Sequence, residues 1–146
     1  MSENKQGRQY MDGKISVGHV ADTSLQQVRT EPAGEVIPYG APLTLVDGVV
    51  KVAKPGDSFI GIARAFEGLI DTFETKVGAF NEKEPVSVLY AGSIGVVVAE
   101  AITSGAKAII AADGKFKAAV AETEQKDIVG TFWTDGSVDG IATLHI

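Results

Sequence analysis

The chain contains no cysteine. That excludes disulfides, thiolate metal sites and a thiol nucleophile, and leaves the fold to packing alone in any redox compartment. Long hydrophobic runs are missing too. No stretch reaches the ~18 apolar residues a membrane-spanning helix needs, and the opening MSENKQGRQY lacks the apolar core of a signal peptide. The expectation is a soluble protein made in the cytoplasm. Positive charge is scarce: 13 Lys and Arg stand against 19 Asp and Glu, for a net charge of −6. A duplex or an anionic bilayer is normally met by clustered cations. Here the cations are scattered without interleaved aromatics, so neither a nucleic acid nor a membrane is an expected partner.

Catalytic groups are as sparse. The two histidines, His19 and His145, fall in strand-like patterns near opposite ends of the chain, with no HxH or HExxH spacing for a metal. No serine sits in a GxSxG elbow. Asp47, Asp57, Asp113, Asp135 and Asp139 each stand beside Gly or Ser, where an aspartate serves the backbone of a turn. GDSFIG and GSIGVV are glycine-rich but match neither phosphate-binding loop. No cofactor, metal or enzymatic activity is expected.

What the sequence does hold is β-pattern. It has 17 Gly, 45% apolar residues, and a length of 146 that suits one domain with a sizeable core. The organising stretch is Glu35–Ala63, in which Pro38-Tyr39-Gly40, Asp47-Gly48 and Pro55-Gly56-Asp57 separate short apolar alternations. Asp-Gly between two such runs is the strongest local hairpin signal. The unit recurs over Ala101–Trp133. Gly40 returns as Gly105, Asp47 as Asp113 and Gly61 as Gly130 (105 − 40 = 65, 113 − 47 = 66, 130 − 61 = 69). Two similar meanders in one body are expected, over 35–63 and 101–133, within a β-rich domain 13–146 preceded by a flexible arm 1–12.

Along the chain, Lys14–Ala21 reads as a first strand and Asp22–Glu31 as irregular. Arg64–Glu84 is ambiguous. Phe66, Leu69, Ile70, Phe73, Val77 and Phe80 fall at helical spacing, but Gly68 and Gly78 oppose a helix. An excursion folded back on the body is the competing reading. Pro85–Ala99 reads as two strands about the turn Ala91-Gly92-Ser93, and Asp139–Ile146 as a closing strand. About ten short strands imply an all-β protein, a compact barrel or two-sheet body with at most one short helix. Aromatics and methionine are enriched in interface cores. Tyr10, Met11, Phe66, Phe73, Phe80 and Trp133 are therefore the candidate contact residues, and of Phe132 and Trp133 one must face inward and the other outward.

The sequence from Gly34 to Ile146 resembles the decoration, or structural cement, proteins of tailed bacteriophages. The likeness runs through the Glu35–Ala63 unit and then PVSVLYAGSIGVVV, SGAKAII, DGKFKAA, IVGTFWTD and GIATLHI. Arg64–Glu84 is longer and more aromatic than that pattern. The resemblance implies a virion protein that is made in the bacterial host and binds the outside of the expanded head. Its partners there are the major capsid protein and further copies of itself, as a dimer or trimer. A carbohydrate-binding or tail-associated β-module and a small β-barrel hydrolase are the alternatives.

Overall fold

The structure, a computed structural model, describes residues 17–20, 25–65, 79–121 and 123–146. Among the described residues twelve short strands follow one another: β1 Gln27–Pro32, β2 Ile37–Pro38, β3 Pro42–Val46, β4 Val49–Val52, β5 Gly61–Ala63 and β6 Ala79–Phe80 in the first half. The second half holds β7 Pro85–Ala91, β8 Ser93–Val97, β9 Lys107–Ile110, β10 Phe116–Ala118, β11 Gly130–Phe132 and β12 Ile141–His145. Among the described residues there is no α-helix; the only helical turns are two three-residue 3₁₀ segments. The protein is all-β.

Ten of these strands form two five-stranded sheets with one topology, and β2 pairs with β6 in a third, two-stranded sheet. The first runs β1-β7-β5-β3-β4; the second, read from its other edge, runs β8-β12-β11-β9-β10. Registers correspond as well as order. Leu45 faces Val50 as Ile110 faces Phe116, and Ile62 faces Leu89 as Thr131 faces His145. Arg29 faces Val88 as Ile94 faces Leu144. Single hydrogen bonds repeat too: Gly40 N–H donates to Ala63 O at 2.7 Å, and Gly105 N–H to Phe132 O at 2.7 Å. The likeness therefore reaches beyond the two meanders to the strands on either side of them.

Each sheet curls shut. Ala33, just past β1, makes a parallel bridge to Val50 of β4, and Val98, just past β8, makes the matching bridge to Phe116 of β10. Joining the two edges in this way turns each sheet into a small barrel and satisfies backbone groups that an open edge would expose. The first barrel is filled by Ile37, Leu43, Val50, Phe80, Val86 and Val88, and the second by Ile94, Val96, Phe116, Phe132 and Leu144 among others. Ala53, Ile62 and Leu89 belong to the second core although they lie on or beside strands of the first sheet. The barrels thus share buried surface and pack as one body.

Some segments differ from the sequence reading. Gln27–Pro32, expected to be irregular, is strand β1. Its residues are nearly all exposed, so no apolar alternation marks it, and pairing with β7 alone makes it a strand. Val17–Val20, expected inside a first strand, is a turn with one bridge, Val20 to Ile94. Of the ambiguous segment, 66–78 lies outside the described residues, and its end, Ala79–Phe80, is a strand paired with β2. The arm 1–12 also lies outside them.

Candidate interaction surface

The turns show what the carboxylates do. Asp47 and Asp113 adopt φ of 49° and 59°, each followed by a glycine with φ above 70°; at Asp47-Gly48 these left-handed angles make a two-residue hairpin between Val46 and Val49, and at Asp113-Gly114 they close the three-residue turn Ala112–Gly114. Asp57 Oδ2 accepts from Lys54 N–H at 2.9 Å, and Asp135 Oδ1 accepts from Ser104 N–H at 2.8 Å. Asp139, at φ 58°, accepts from Lys115 Nζ at 2.8 Å. That hydrogen bond and the charge of Asp139 raise the Lys115 ammonium above its ordinary pKa. The raised pKa keeps Lys115 charged, and so able to hold this pair, through neutral pH. All five aspartates stand in turns, and the carboxylates of Asp57, Asp135 and Asp139 accept hydrogen bonds there.

The aromatics divide by strand parity. Phe132 is fully buried, while Trp133 beside it is 45% exposed. The Trp133 indole lies flat on the His145 imidazole, with ring centroids 4.2 Å apart and an interplanar angle of 10°. His145 Nδ1 in turn shares a 2.9 Å hydrogen bond with Ser93 Oγ. These residues belong to the outer wall of the second barrel. There the cross-strand register sets Ser93, His145, Thr131 and Lys107 in one row over β8, β12, β11 and β9. Lys107 Nζ donates to Thr131 Oγ1 at 3.1 Å and completes the row. The result is an indole held in one orientation at the surface by a hydrogen-bonded support.

The remaining candidates stand elsewhere. Phe80 is only 4% exposed and meets Tyr39 edge-on at 5.1 Å within the first barrel, so its ring serves the core and presents no contact surface. Tyr10, Met11, Phe66 and Phe73 lie outside the described residues. The exposed apolar residues that sequence reading missed include Leu45 and Val46, each 41% exposed at the β3–β4 turn. In the sequence they look like the rest of the apolar alternation, and only the tertiary structure leaves them uncovered.

Ser93 is fully buried, and the His145 ring meets Ser93 Oγ on one side and the Trp133 indole on its face. His19 and His145 are separated by β8, which bonds to the 17–20 turn on one side and to β12 on the other. Among the described residues no three acidic or histidine side chains gather as a metal set, and no helix is long and apolar enough to cross a membrane. A cleft of about 570 Å³ runs between the barrels. Its polar lining includes Asp57, Glu124, Lys126 and Asp127, and Lys126 pairs with Glu124 at 3.2 Å.

A family model described as structural cement protein (E217 gp24/Pam3 gp6) matches residues 5–146, and the chain belongs to that family. It is thus a phage structural, capsid-associated protein. The fold is similar to the crystal structure of the head fiber gp8.5 N base in bacteriophage phi29, with a TM-score of 0.52 and 15% identity over 84% of this chain and 94% of that one. No curated protein matches the chain.

Proposed function

We propose that this protein binds the outside of the expanded phage head and cements neighbouring major capsid subunits, acting by binding rather than by catalysis. Membership of the cement family supports the setting, and the observation that carries the contact is Trp133. Its indole is exposed yet held flat on His145, so little side-chain freedom is lost when a partner covers it, and Trp is among the residues most enriched at binding hot spots. Cement has to resist outward pressure on a shell. Many copies of a modest contact, each burying on the order of 1,000–2,000 Å², supply that through repetition. The net charge of −6 keeps the free protein away from DNA.

The test is co-sedimentation with undecorated heads in immature and expanded forms. Saturable pelleting with expanded heads alone, at a fixed ratio to the capsid subunit, is expected. Failure to pellet with either form overturns the reading. A glycan array then tests the second one, carbohydrate binding, which draws on the open face of the same indole.

A further inference from the structure

The two barrels meet in a way the chain uses once and could use again. The end of the second barrel at the β9–β10 turn is closed by the wall of the first. Ile110 and Ala111 are 6% and 4% exposed there, and a Cβ at Gly114 stands 3.6 Å from Ala41 Cβ and Val52 Cγ1. Ile62 and Leu89, both fully buried, are the wall residues drawn into the second core.

The shared register gives each of these residues a counterpart. Ile110, Ala111 and Gly114 correspond to Leu45, Val46 and Gly48. Leu45 and Val46 are each 41% exposed, and a Cβ at Gly48 has no heavy atom within 4 Å. The wall residues Ile62 and Leu89 correspond to Thr131 and His145, half-buried beside exposed Trp133. Among the described residues the chain therefore holds one closed barrel end seated on one wall, together with one open end and one open wall.

We propose that the open β3–β4 end of one copy seats on the Thr131–His145–Trp133 wall of a second copy, repeating between chains the contact made within each chain. Charge agrees with this pairing. Asp47 is exposed at the tip of the seated turn, and Lys107 is exposed at the end of the receiving row. Ile and Leu give way to Thr and His on the receiving wall. That suits a contact whose two faces must each stay in water when the copies are apart. A head-to-tail contact of this kind closes into a ring or runs on as a filament, and the symmetric positions of a shell select the ring. The inference deepens the self-association part of the cement reading and rests on it.

The absence of cysteine makes the test direct. Asp47→Cys and Lys107→Cys are made as separate chains, mixed and mildly oxidised, both free and on heads. The mixed cross-link is expected to exceed either like-with-like dimer at least tenfold. Leu45→Glu is expected to weaken self-association at least tenfold, with its circular dichroism and melting unchanged. Like-with-like dimers in equal or greater yield overturn the proposal, because they report a two-fold contact or random collision. So does a wild-type chain that stays monomeric in solution together with a mixture of the two cysteine variants that gives no cross-link on heads. Pelleting of the uncross-linked chain is scored separately, so loss of the cement function is distinguished from loss of this interface.

Discussion

Phe132 and Trp133 are neighbours with opposite duties, and substitution separates them. Phe132→Ala empties a fully buried site and is expected to cost about 3–5 kcal/mol in a denaturant titration. Trp133→Ala removes a half-exposed ring, so the melting temperature should scarcely change while pelleting with expanded heads falls. A loss of stability equal to that of Phe132→Ala would assign Trp133 to the core instead. Gly61 and Gly130 make a second pair. A Cβ on Gly61 would stand 2.6 Å from Leu89 O, and on Gly130 2.2 Å from His145 O, at matching places in the two sheets. Gly61→Ala and Gly130→Ala are each expected to destabilise by about 1–3 kcal/mol through overpacking, read in the same titration. Strand alternation alone makes the opposed facing of Phe132 and Trp133 legible. It did not reveal that Phe80 is a core residue, because helical spacing and β-pattern compete in its segment.

At the scale of elements, the turns were the most legible parts. Asp47-Gly48 and Asp113-Gly114 carry their geometry in two adjacent residues. The hairpins form where they were expected because only such residues hold left-handed angles cheaply. Lys83 is the exception that leads to a prediction. It adopts φ 71° at the place where the second barrel has Asp139 at φ 58°, yet a lysine has no short polar side chain to ease that conformation. Lys83→Asn is expected to stabilise the protein by about 0.5–1 kcal/mol, visible as a raised melting temperature. An unchanged or lowered melting temperature would show the strain to be absent. Strand β1 was invisible by the same local logic. Its QVRTEP sequence is nearly all exposed, and its conformation is set by hydrogen bonds to β7, a partner far along the chain.

For the molecule as a whole, the shared core decides how it unfolds. Leu89 sits in the first sheet and is buried in the second core, so Leu89→Ala should cost about 2–5 kcal/mol and loosen both barrels together. Trp133 fluorescence reports only the second barrel, whereas far-ultraviolet circular dichroism reports both. The two probes are expected to trace one coincident urea transition in the wild type and in Leu89→Ala. Separated transitions would mean that the barrels fold independently despite the contact.

The sequence by itself determined the all-β character, the turn positions, the near-repetition of one unit and the lack of thiol chemistry. Each of these depends on a few adjacent residues or on composition. Tertiary structure decided which faces are covered. Leu45 and Ile110 occupy the same place in the same pattern, yet one is 41% exposed and the other 6%. A period of two specifies which side chains share a face of a strand. It carries no information about what will pack on that face, because the partner comes from elsewhere in the chain or, in the arrangement proposed above, from another copy of it.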